Sequence, residues 1–148
     1  MAVTMSLYNH VPKLFANGDI TKTTLKVELL SNTATFTATH TAKTSVDNGG
    51  SYEVYGNGWP QGGPTIGSVA VTQVAISDGT VDDAKIAGND VIVTATGGLI
   101  GPAYKALIYD ATSNYPIIFV DFGGGQSAGD TTDFKVRFNA LGFINWTK

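Results

Sequence analysis

The chain has 148 residues, a net charge of −3 and no cysteine. That length suits one domain, and the missing cysteines exclude disulfides, thiolate metal sites and a cysteine nucleophile. Only 14% of residues are charged, against about a quarter in ordinary soluble domains, and nine Lys and Arg scattered along the chain give no basic stripe for phosphates, so no direct nucleic-acid binding is expected.

No apolar run reaches the length of about 18 residues that marks a membrane span, so no membrane partner is expected. Residues 1–17 include His10, Pro12 and Lys13 and lack a continuous apolar core, so they do not read as a secretory leader. Residues 5–18 have a helical flavour: Leu7, Val11, Leu14 and Phe15 share helical spacing, and Asn17-Gly18 is a stop signal. Pro12 limits that helix to a turn or two. The first 20 residues are therefore expected to form an arm that docks on its own sheet or on a neighbour.

From Thr23 the period changes to two. Leu25, Val27 and Leu29 alternate with Lys26 and Glu28, which predicts a strand with one wet face. Residues 33–41 predict a second strand, with Ala34, Phe36, Ala38 and His40 on one face and threonines on the other. Residues 53–63 read Glu-Val-Tyr-Gly-Asn-Gly-Trp-Pro-Gln-Gly-Gly, a glycine-dense loop around one tryptophan. Val69 and Val71 then lie on one face and Val74 and Ile76 on the other, which predicts a bulge at Thr72-Gln73 or a strand that changes sheet there.

Turn signals follow at residues 77–80 and 86–90, and a strand over residues 91–96. Residues 103–109 and 117–122, apolar on both faces, predict a central hairpin around a loop of six or seven residues. Residues 123–129 read as a second glycine-dense loop. Phe134, Val136 and Phe138 predict a core face opposite Lys135 and Arg137, and residues 141–146 a last short strand. Seven or eight strands at about ten-residue spacing predict one antiparallel β-sandwich, Ig-like or jelly-roll-like, over residues 1–148, with a short N-terminal helical arm over residues 1–20.

Chemistry-bearing residues are sparse. His10 and His40 stand alone, without the convergent ligands a metal needs. No glycine-flanked nucleophile elbow accompanies any serine. Asp78, Asp82, Asp83 and Asp90 lack EF-hand spacing and read as turn residues. Asp110 and Asp121 are the nearest to a carboxylate pair and read as turn and edge residues. Neither glycine-rich stretch ends as a phosphate loop does. The expectation is no enzyme, no metal and no cofactor. Trp59, with Tyr52, Tyr55, Pro60 and Pro64 around it, is open to two readings: a core tryptophan, or an interface anchor.

The order of several motifs resembles a widespread family of small tailed-bacteriophage structural proteins. These motifs are Leu-Tyr-Asn…Phe-Ala-Asn-Gly-Asp at residues 7–19, Leu-Lys-Val-Glu-Leu-Leu at 25–30 and Thr-Phe-Thr-Ala-Thr-His at 35–40. The glycine loop at 53–63 follows, then Val-Thr-Ala-Thr-Gly-Gly at 93–98, Tyr-Lys-Ala-Leu-Ile-Tyr-Asp-Ala-Thr at 104–112 and Val-Asp-Phe-Gly at 120–123. The resemblance implies a virion protein, assembled in the host bacterial cytoplasm, of the capsid decoration (cement) kind. It implies the major capsid protein lattice as partner, with the chain itself as a homo-oligomer such as a trimer, and it supplies no catalytic residues. Tyr8, Phe15, Tyr55, Asn57, Trp59, Pro60 and Gln61 are the expected contact residues. Two alternatives stand beside it: a tail tip, tube or fibre-base subunit, and a carbohydrate-binding module in which Trp59, Tyr55 and Tyr115 form a stacking platform.

Overall fold

The computed structural model describes residues 2–74 and 83–146. Its strands are β1 (Thr4–Leu7), β2 (Leu25–Leu30), β3 (Glu53–Val54), β4 (Ala70–Val74), β5 (Asp83–Ala87), β6 (Val91–Thr94), β7 (Ile100–Asp110), β8 (Tyr115–Ala128), β9 (Asp133–Val136) and β10 (Ile144–Trp146). Two short helices, α1 (Val11–Asn17) and α2 (Lys43–Val46), accompany them. The strands form a five-stranded sheet ordered β1-β8-β7-β2-β3, a three-stranded sheet β10-β5-β4 and the pair β6-β9, all antiparallel. The fold is all-β and sandwich-like with a small helical component, as the sequence predicts.

The helix expected near the N-terminus is α1, with Pro12 in its first turn, where a missing N–H is tolerated. Gly18 ends it in the left-handed conformation (φ 75°), and the next amide, Asp19 N–H, donates to Leu14 O at 2.8 Å. The residues ahead of it are not helical: β1 pairs with β8 from Thr4↔Asp121 to Leu7↔Ile118. Tyr8, Val11, Leu14 and Ile20 are all buried in the core. The arm therefore docks on its own chain.

The β7–β8 hairpin is the central feature, and the row Ala106 to Asp110 is buried throughout, as expected of central strands. Its connection spans residues 111–114 and is shorter than expected, because β8 begins at Tyr115. The glycine-dense stretch 123–129 is not a loop. β8 runs through it to Ala128, and a Cβ on Gly125 would lie 3.1 Å from the Tyr104 ring, so glycine there lets the cross-strand tyrosine lie on the backbone.

Three further expectations are corrected. Residues 33–41 pair with no strand, although their alternation survives: Ala34 is buried and Phe36 packs between Tyr8 and Phe119. Lys105 Nζ caps the Asn32 and Ala34 carbonyls at 2.9 and 2.6 Å, which replaces ladder bonds. The predicted bulge at Thr72-Gln73 is absent, since β4 pairs with β5 in unbroken register from Ala70↔Ala87 to Val74↔Asp83. Glu28 does not face water; β2 lies between β7 and β3, and Glu28 is 0% exposed. The turn expected at residues 77–80 lies outside the described residues. Of the turn expected at residues 86–90, Ile86 and Ala87 belong to β5 and residues 88–90 connect it to β6, while the core face of Phe134 and Val136 is found where predicted.

Candidate functional site

The loop at residues 53–63 is built around an Asn-Gly turn. Asn57 (φ 52°) and Gly58 (φ 103°) both take positive φ, and Gly56 and Trp59 exchange backbone bonds of 2.9 and 3.0 Å across them. This is the tight-turn geometry that favours Asn-Gly. Asn57 then ties the turn to the rest of the molecule, its Nδ2 donating to Leu99 O at 2.6 Å and its carbonyl accepting from Thr96 N–H at 2.9 Å. Further on, Gly63 lies directly on β2: an added Cβ would sit 1.7 Å from Val27 O, so no other residue fits.

Trp59 is 2% exposed, and its ring meets Phe134 edge-on at 5.4 Å between centroids. It belongs to the core, and its Nε1 finds no acceptor among the described residues. Tyr8 is likewise fully buried. Both are therefore removed from the expected contact set, because a side chain already enclosed by its own chain has no area left for a partner. Phe15 is half-buried against Trp146 at 5.5 Å. Tyr55, Asn57, Pro60 and Gln61 are exposed, and the turn brings them to one loop.

A buried polar cluster that the sequence reading missed supports this loop. Lys43 Nζ on α2 donates to Glu28 Oε1 at 2.8 Å and also pairs with Asp47 Oδ2. It stands 5.1 Å over the Tyr109 ring. Tyr109 Oη donates to Gly62 O at 2.7 Å, and Gly62 N–H donates to the Glu53 carboxylate. Glu28, Lys43, Asp47, Glu53 and Tyr109 thus connect the sheet to the loop. The Lys43…Asp47 spacing of one helical turn was the available sequence signal.

One ammonium faces two fully enclosed carboxylates, with Glu53 nearby. Burial, opposed by the Lys43 hydrogen bond and charge and reinforced by Asp47 and Glu53, pushes the Glu28 carboxyl up to about 7. Burial pulls Lys43 down, but its bonds to Asp47 and Glu28 outweigh that and hold it above the usual lysine value. Burial pushes Tyr109 up to about 12. A carboxyl titrating near neutrality is what a general acid or base needs. Glu28, however, is 0% exposed beneath the loop, and two open clefts among the described residues are lined by no member of the cluster.

Most of the remaining candidates have structural partners, whereas His40 Nδ1 is enclosed without one among the described residues. His10 Nε2 lies 2.7 Å from Pro116 O, and His40 is half-buried. Asp110 is fully buried and accepts from Thr21 N–H, Thr24 Oγ1 and Thr112 N–H at 2.8, 2.8 and 2.9 Å. Asp110 is therefore an internal clamp, where edge solvation was expected. Asp121 pairs in register with Lys105, which puts it about 17 Å along the hairpin from Asp110 and excludes a shared glycosidic site. Asp90 accepts from Phe138 N–H at 2.9 Å. Asp78 and Asp82 lie outside the described residues. Among the described residues no three His, Asp or Glu converge as a metal site.

The site is thus a rigid, uncharged loop tip on a sandwich-like β domain, a geometry suited to contact. No protein-family model, curated protein or solved structure matches the chain.

Proposed function

We propose that this chain is a capsid decoration protein of a tailed bacteriophage, non-enzymatic, seated as a homo-oligomer on the outer lattice of the major capsid protein. The observation that carries the reading is the exposed loop tip. Left-handed backbone at Asn57 and Gly58, the seat of Gly63 on β2 and the bonds of Tyr109 and Glu53 to Gly62 hold Tyr55, Asn57, Pro60 and Gln61 outward without a charge among them. A contact element held this way has little ordering entropy left to lose on binding. The low charge of the whole chain and the ordered motifs that resemble phage structural proteins support the same reading. A glycan platform loses its central ring, since Trp59 is inside.

In this role the protein binds the expanded lattice but not its dissociated subunits, and so shifts the equilibrium toward the intact shell by mass action. The test is co-sedimentation of purified protein with expanded shells that lack it. Stoichiometric pelleting is expected, and Tyr55→Ala with Gln61→Ala should weaken it by about tenfold or more if the loop is a hot spot. Full occupancy by the double variant would remove the loop from the account, and no pelleting of the wild type would overturn the proposal.

A further inference from the structure

β1 is the outer strand of the five-stranded sheet, and its backbone is only half used. Tyr8 N–H donates to Ile117 O at 3.3 Å, in step with the register Ser6↔Phe119 and Thr4↔Asp121. Antiparallel bonding alternates, so Thr4 and Ser6 turn their N–H and C=O groups toward β8, as Tyr8 does its N–H, while Met5 and Leu7 turn theirs away. β8 is the only strand paired with β1 among the described residues, and no other backbone bond reaches Met5 or Leu7. These groups form an open ladder edge.

The side chains agree. Val3, Met5 and Leu7 share one face and are 61, 49 and 39% exposed. Val3 and Met5 line a cleft of about 500 Å³ whose walls include Phe122, Phe134 and Phe138 with Asp133, Lys135 and Arg137, and Met5 and Leu7 line a neighbouring one of about 200 Å³ against residues 143–145. Native sheets blunt such edges with charges, prolines or bulges. From Val3 to Asn9 the chain carries no charge and no proline, and the β1–β8 register has no bulge. The opposite edge, β3, is only two residues long and carries Glu53.

We propose that the β1 edge is an interface for a second copy of this chain, joined β1 to β1 about a two-fold axis at Met5. In that register Met5 faces Met5 of the other copy, and Val3 faces Leu7. Met5 and Leu7 turn their backbone groups outward and Val3, one residue ahead of β1, continues the alternation, so each opposed pair is placed to exchange both of its bonds. The apolar row meets an apolar row, and on the other face Thr4 meets Ser6. With no charge in the segment, self-pairing brings no like charges together along the strand. The contact is isologous and closes as a dimer. It does not rest on the capsid reading, because it concerns the isolated protein.

The test is analytical ultracentrifugation of the purified full chain over a concentration series. A monomer–dimer equilibrium is expected, and Met5→Lys, which opposes two ammonium groups at the axis, should weaken it at least tenfold, whereas Met5→Ile should preserve it. Amide exchange in the wild type gives a second readout that needs no folded variant: the Met5 and Leu7 amides should slow as concentration rises and quicken on dilution. A chain that stays monomeric, a trimer as the sole assembly, a dimer unchanged by Met5→Lys, or concentration-independent exchange at Met5 and Leu7 would each overturn the proposal.

Discussion

Replacing Glu28 by Gln keeps the shape of the side chain and removes its titration, which isolates the energetic consequence of the buried cluster. The folded protein holds the Glu28 proton up to about pH 7, while the ordinary carboxyl value is 4.5. Between those values the folded state binds more protons than the unfolded one, so this group's contribution falls as pH rises. It is fully present below pH 4.5 and lost above pH 7. The interval corresponds to about 3 kcal/mol, without a discount for solvent because Glu28 is 0% exposed. Burial sets the direction, Lys43 on α2 opposes it, and Asp47 just after α2 and Glu53 on β3 reinforce it. Denaturant unfolding of wild type and Glu28→Gln at pH 4.5 and pH 8 measures the effect. Relative to wild type, the variant should gain about 3 kcal/mol on going to the higher pH, or about 6–12 °C in melting temperature for a chain of this size. Parallel pH profiles for the two proteins would refute the reasoning, as would a wild type that gains on the variant as pH rises.

Other substitutions probe the rest of the scaffold. Trp59→Ala should destabilise the isolated protein by about 3–5 kcal/mol in denaturant unfolding, as expected of a large core side chain. Gly63→Ala should abolish soluble folded protein, since its Cβ would meet Val27 O, whereas Gly49→Ala, also at positive φ but with nothing within 4 Å, should lower stability by only about 1 kcal/mol. Asp110→Asn should cost about 1–3 kcal/mol at neutral pH. For Asp110, burial alone would raise the carboxyl, but bonds from Thr21, Thr112 and Thr24 outweigh it and hold it below 3.8. Its contribution is therefore present above that value and lost as pH falls through the folded-state pKa, so the gap between wild type and variant should narrow in strong acid.

Much of the fold was legible because strand periodicity and glycine punctuation are local. The capped helix α1, the β7–β8 hairpin and the Phe134/Val136 face all follow from spacing that the structure keeps. What could not be read was which strands lie in the middle of a sheet. Lys26 and Glu28 have the same alternation in sequence, yet Glu28 is enclosed because α2 delivers Lys43 over it, and α2 is placed by a contact from Lys43 N–H to Asn114 O far along the chain. Residues 33–41 show the converse: strand-like alternation there reflects packing on a sheet, and the ladder itself is missing. At the candidate site, the Asn-Gly turn was visible as composition. The inward direction of Trp59 depended on Phe134, a residue 75 positions away that no local pattern names.

The most direct test of the proposed role is a cryo-electron-microscopy reconstruction of virions of the phage that, on this proposal, encodes the chain. The account predicts density for the β domain at regular positions on the outer surface of the head shell, with the loop carrying Tyr55 and Gln61 against the major capsid protein. Density for the chain in the tail, or its absence from the particle, would contradict it.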